Sequence, residues 1–202
     1  MMAGLASATC TGERDELARL RGEHGNIARL LLVLESHLAT IHAGESYDAR
    51  LLLDALTYLF EYVDRFHRER EDLFVAALAV PQPMVRSSLA SLAVQHFTAR
   101  ASGGEVVARL ERVIGGGLAP HAELVRHGFA YCTALRRAMA LEEDILGFAT
   151  TAEETSTPPL DSRGAKPSSA SVLRPADEDR YLALFEALTH RVGCDCFYVR
   201  SS

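Results

Sequence analysis

Between Arg14 and about Thr150, apolar residues return at steps of three and four, the spacing that keeps one face of an α-helix turned toward a partner. The first series is Leu17, Leu20, His24, Ile27, Leu31, Leu34, Leu38 and Ile41, and the second is Phe60, Val63, His67, Glu71, Phe74 and Leu78. The third runs Val85, Leu89, Leu92, His96, Ala99, Gly103, Val106, Leu110 and Val113; the fourth runs Leu124, Gly128, Tyr131, Leu135, Ala138, Glu142, Ile145 and Ala149. Between the series stand Ala43-Gly44-Glu45-Ser46, Pro81-Gln82-Pro83 and Gly115-Gly116-Gly117 before Pro120, residues that end helices and turn the chain. With no strand-like alternation, the pattern predicts an all-α, antiparallel up-down-up-down four-helix bundle over residues 13–150.

Outside that span the pattern weakens. Residues 1–12 read as a disordered start, and 151–175, rich in Ser, Thr, Pro and Gly, read as a flexible linker. Within 176–202, Asp177-Glu178-Asp179 can cap a short C-terminal helix with Tyr181, Leu184, Phe185, Leu188 and Val192 on one face, able to dock on the bundle or on a protein partner. At 202 residues and 48% hydrophobic content the chain can build one sizeable core.

The net charge of -6 disfavours polyanionic partners, so neither a nucleic acid nor a membrane surface is expected. Charged residues or His interrupt every long apolar run, which leaves no membrane span. Four cysteines in a chain this long do not make a disulfide framework, and a cytoplasmic location is expected.

Five residues break the apolar seams: His24, His67, Glu71, His96 and Glu142. A carboxylate buried without a partner costs several kcal/mol, roughly, so something must compensate these. His67 and Glu71 are four apart and share one helical face. His24 lies roughly 20 residues before the first turn and His67 roughly 22 after it, which at about 1.5 Å rise per residue is one height. The same count puts His96 level with His67 and Glu142 near His96, so all four helices present their odd residues in one layer. Three imidazoles and two carboxylates fit iron or manganese best and zinc less well. The plainer alternative is a buried His–Glu hydrogen-bond network without metal.

Tyr131 faces the same core and is a candidate hydrogen-bond donor to a bound small ligand, or simply a core aromatic. His37, His42, His121 and His127 lie away from the layer. Cys132 reads as a small buried hydrophobe. His190, Cys194 and Cys196 form a soft-ligand cluster that reads first as a frayed helix end and second as a zinc, copper or redox site.

Glu23-His24, His67-Arg68-Glu69-Arg70-Glu71-Asp72-Leu73-Phe74, Gln95-His96 and Met139-Ala140-Leu141-Glu142-Glu143 resemble the hemerythrin and HHE cation-binding domain family, over about Glu13 to Thr150. The resemblance implies that His24, His67, Glu71, His96 and Glu142 hold non-heme iron, di-iron or mononuclear, with O2, NO or peroxide as the small ligand. It also marks departures: Ala138 stands where the family usually has a His four residues before the last Glu, Arg68 where it has a second His, and Gln95 where a Glu is common. Ala138 leaves three expectations open: an open metal position, one ion instead of two, or lost affinity and a metal-depleted helical module that regulates a protein partner. A peroxide-consuming enzyme is a third function class, and no nucleophile triad, phosphate loop or nicotinamide fingerprint supports another chemistry.

Overall fold

A computed structural model describes residues 4–77, 83–155, 183 and 185–187. Its elements are α1 (Gly4–His42), α2 (Ala49–Tyr58), a π-helical segment (Leu59–His67), α3 (Arg68–Ala77), α4 (Pro83–Ile114) and α5 (His121–Thr155). The backbone stays right-handed helical at Leu59 and at Arg68, so α2, the π segment and α3 make one continuous rod. The result is the helical bundle that the seams predict, with no strand among the described residues. α1 packs on α5 and on the α2 rod, and α4 packs on α5 and on α2, which closes the ring of neighbours.

The turns form where the glycines permit them. Gly44 (φ 76°) and Gly116 (φ 84°) take the left-handed conformation that a Cβ disfavours. Around them the amides of Gly44 and Glu45 donate to Ile41 and Thr40, and those of Gly116 and Gly117 to Val113 and Arg112, closing both helices with Schellman bonds. Asp48 then caps α2 by accepting from the Leu51 amide at 2.9 Å. Pro83 opens α4, at the helical position that needs no N–H donor.

Some expectations shift at the ends. α1 already runs from Gly4, so residues 4–12 are helical here rather than disordered, and no proline interrupts them. α5 continues to Thr155, five residues into the expected linker. The turn residues 78–82, the rest of the linker, the His190/Cys194/Cys196 cluster and most of the expected C-terminal helix lie outside the described residues. Residues 183 and 185–187 are helical, and Phe185 is fully buried against the bundle.

The core follows the seams. Ile27, Leu31, Leu34, Leu38 and Ile41 of α1 share one buried cluster with Leu52, Leu56, Leu59, Val106, Leu110, Leu124 and Leu135, while Leu17 and Leu20 pack with Leu146. Leu89, expected in the α4 seam, is 37% exposed, and Leu92 is the next seam residue to be buried. Gly103 and Gly128 mark close approaches, because a Cβ at the first would run into the Phe60 ring and touch Tyr131, and one at the second would run into Leu38.

Candidate metal centre

The polar layer is assembled by all four rods. His24 (α1), His67 (last residue of the π segment), Glu71 (α3) and Glu142 (α5) are buried, and His96 (α4) is partly so. The structure brings all five sequence-selected residues together, as two overlapping groups whose donor atoms lie within 4.8 Å of one another: His24, His67 and Glu142, and Glu71, His96 and Glu142. Glu142 belongs to both. Its Oε2 lies 3.2 Å from His24 Nε2, and its Oε1 accepts from His96 Nε2 at 2.9 Å.

The π segment sets the second rod's phase at the layer. Its wider winding, with the Arg68 amide bonded back to the Val63 carbonyl five residues earlier, ends at His67. Such widened turns are rare and recur at functional positions. The regular α-helix that follows carries Glu71 one turn on, on the same face.

Each α1-side histidine is anchored from behind. His67 Nδ1 donates to Glu23 Oε2 at 2.7 Å, and His24 Nδ1 donates to Glu143 Oε1 at 2.8 Å. This leaves both Nε2 atoms turned inward, 3.0 Å apart. Two neutral rings held this way present two lone pairs to each other, which only a proton or a cation between them relieves. Neighbouring ligands about 2.1 Å from one ion at right angles also stand about 3.0 Å apart, so the observed spacing suits a shared ion. Burial pulls the His24 pKa down, but hydrogen bonds and charge from Glu142 and Glu143 outweigh it and hold the ring's pKa above its usual value.

Glu71 is the second sign of a missing positive charge. Burial, reinforced by the neighbouring Glu142 carboxylate, pushes its pKa up to about 10, and its Oε1 is buried with no hydrogen-bond partner. Burial raises Glu142 as well, but hydrogen bonds from His24 and His96 win and hold its carboxyl well below the ordinary range. One carboxylate of the pair is thus ionised and shared, while the other is protonated and under-bonded. The donor set fits a divalent cation on both counts, because a cation would ionise Glu71 and satisfy its orphaned oxygen.

The anchoring carboxylates were quoted in the sequence only as neighbours of the seam residues. Glu23 accepts from His67, Tyr62 Oη (3.1 Å) and Arg70 Nη2 (2.5 Å), and Arg19 lies 3.6 Å away. Burial raises its pKa, but His67, Arg70 and Arg19 together bring it below the usual value. Glu143 is partly exposed and pairs with Arg21 at 3.1 Å. The available signal was a carboxylate flanking each seam ligand, which falls beside the core face of its helix.

Ala138 is fully buried, packed in a small apolar cluster with Leu92 and Ile145. Tyr131 stacks on Phe60 with centroids 5.6 Å apart and an interplanar angle of 9°. By helical rise it stands about 16 Å from Glu142 along α5, so the structure does not bring it into the carboxylate layer. Cys132 is buried and free, with its thiol pKa pushed up to about 12 by burial.

Fold and site together define a helical bundle with a candidate His/carboxylate cation site in its core. Residues 15–150 match the family model "Hemerythrin HHE cation binding domain", and the chain belongs to that family of cation-binding domains, in which iron is the typical metal. No curated protein and no solved structure matches the chain. No helix among the described residues is long and apolar enough to cross a membrane.

Proposed function

We propose that the chain is a non-heme iron protein that binds, senses or reacts with O2, NO or peroxide at the bundle core. Glu142 carries the reading: its two oxygens serve two different donor groups, as a carboxylate shared by two ions would. His24, His67 and Glu142 would hold one ion, and Glu71, His96 and Glu142 the other. Bound iron would supply redox and Lewis-acid chemistry to the small ligand. The protein's part is to fix the imidazoles through Glu23 and Glu143, to border the layer with the apolar Leu92, Ala138 and Ile145, and to leave the Ala138 position without a ligand. Tyr131 is placed to pack the core below the layer rather than to touch the ligand.

Anaerobic loading with Fe(II), elemental analysis and optical spectra before and after O2 test this directly. The expected result is iron bound in the core, with a new absorption band after O2 that is missing from a His67→Ala, Glu71→Ala double variant. A chain that retains no iron overturns the proposal.

A second reading, a metal-depleted module that regulates a protein partner, draws on the apolar filling around Ala138 and on Val94 and Phe97, which are 59% and 76% exposed on α4. It requires the metal-free chain to bind its partner and iron loading to change nothing.

A further inference from the structure

The family match ends at residue 150, yet a residue far beyond it reaches the support of the candidate centre. Phe185 is fully buried and packs on Tyr58, with ring centroids 5.9 Å apart and tilted by 44°. Tyr58 stacks nearly parallel on Tyr62, at 5.2 Å and 15°. Tyr62 donates through its hydroxyl to Glu23 Oε1, and Glu23 Oε2 receives the Nδ1 proton of His67. The contacts form an unbroken path, Phe185–Tyr58–Tyr62–Glu23–His67, from the C-terminal segment to an inward-facing imidazole.

We propose that the C-terminal segment is part of the candidate centre's outer support: Phe185 clamps Tyr58 on Tyr62, and the Tyr62 hydroxyl holds Glu23 behind His67. Phe185, Tyr62 and Glu23 are positioning residues in this account. Glu23 decides which nitrogen of His67 carries the proton, and so which one faces inward. Glu23 has two acceptor oxygens and several donors, so its orientation depends on all of them. Arg70 Nη2 contacts both Glu23 Oε1 and, at 3.2 Å, the Tyr62 hydroxyl, which fixes where that hydroxyl must sit. Tyr62 is stacked on Tyr58 and hydrogen-bonded through its hydroxyl, so a Tyr58 ring fixed by Phe185 leaves that hydroxyl less freedom to move. A bundle without the C-terminal segment would lose the Phe185 contact on Tyr58 and with it the start of this path.

This inference rests on the metal reading above for its affinity readout and is independent of it for its spectroscopic one. The test uses the full chain, with Co(II) as the probe and Phe185→Ala, Tyr62→Phe, their double variant and Ile41→Ala. Ile41 is a fully buried core residue about 26 Å along α1 from His24, so its variant reports general loosening alone. Expected are losses of Co(II) affinity of about threefold to tenfold for Phe185→Ala and about tenfold for Tyr62→Phe. The double variant should lose little more than Tyr62→Phe alone, because both act through one path. In the metal-free chain, long-range 1H–15N spectra should show His67 with its proton on Nδ1 in the wild type and a mixed tautomer in both single variants. Unchanged affinity and tautomer in Phe185→Ala, or losses matched by Ile41→Ala, would overturn the proposal. Failure of the wild type to bind Co(II) would remove the metal reading, and the tautomer spectra would still decide this inference.

Discussion

The two halves of the polar layer share Glu142 and otherwise differ. On the α1 side, two imidazoles are each braced by a carboxylate, and the deeper brace, Glu23, is itself held by Tyr62 and Arg70. On the α4 side, Glu71 is buried with an orphaned oxygen, His96 is partly exposed, and the next turn of α5 offers only Ala138 among Leu92 and Ile145. One half is preorganised and the other is under-bonded. A site built this way should bind its first ion tightly with the braced pair and its second ion weakly, because affinity follows the rigidity of the ligands as well as their number.

The sharpest way to break the comparison is Glu142→Ala, which removes the one residue common to both halves. Both binding steps should weaken, the first by about 100-fold or more, as read by calorimetric titration with Fe(II) under anaerobic conditions. If only one step changed, the carboxylate would not be shared.

Ala138→His restores a ligand on the poorer side and should raise the affinity of the second step by about tenfold. Its cost appears without metal: the site is fully buried and packed, so the metal-free variant should lose about 1–3 kcal/mol to overpacking in a thermal or urea melt. Gain on loading together with loss on stripping is the signature; a loss in both states would mean that the apolar cluster cannot admit an imidazole.

Glu71→Gln separates function from stability. Burial and Glu142 raise the folded pKa of Glu71 to about 10, against about 4.5 in an unfolded chain, so the native state holds an extra proton between those values. Stability from this group is therefore fully present below about pH 4.5 and is lost as pH rises toward 10. The amide has no proton to lose, so metal-free Glu71→Gln should be more stable than the wild type by about 1 kcal/mol or more at pH 8, and the gain should shrink at pH 5. The same variant should weaken the second binding step. A gain that is independent of pH would show that Glu71 is ionised in the fold.

The smallest effect on the site belongs to Gly103→Ala, away from the layer. Its Cβ would collide with Phe60 and Tyr131, so stability should fall by about 1–3 kcal/mol while metal affinity stays within about twofold.

The bundle and the layer were legible in the sequence because both rest on the helical period. Histidines and carboxylates that interrupt a seam are visible as interruptions, and equal distances from a turn become equal heights in an antiparallel pair. His24, His67, Glu71, His96 and Glu142 were found that way. The bracing was harder to see: Glu23 and Glu143 lie off the seam, and only the packed rods show which imidazole each one meets. The π segment left no mark in the pattern, because Leu59–His67 has the composition of an ordinary α-helix and its extra width depends on what the rod packs against. Tyr131, expected either to reach a bound small ligand or to pack the core, is buried against Phe60 about 16 Å along α5 from Glu142, because a shared seam does not imply a shared height. The docking of Phe185 was open in the sequence, where one apolar face suits a bundle and a partner equally.

The most direct test of the central claim, a carboxylate-shared pair of unequal cation sites, is an anaerobic Fe(II) titration of the metal-free chain alongside His67→Ala and His96→Ala. The account predicts two binding steps in the wild type, the first tighter by at least about tenfold, with His67→Ala removing the tighter step and His96→Ala the weaker one. A wild type that takes up no iron, or two variants that leave both steps in place, would contradict it.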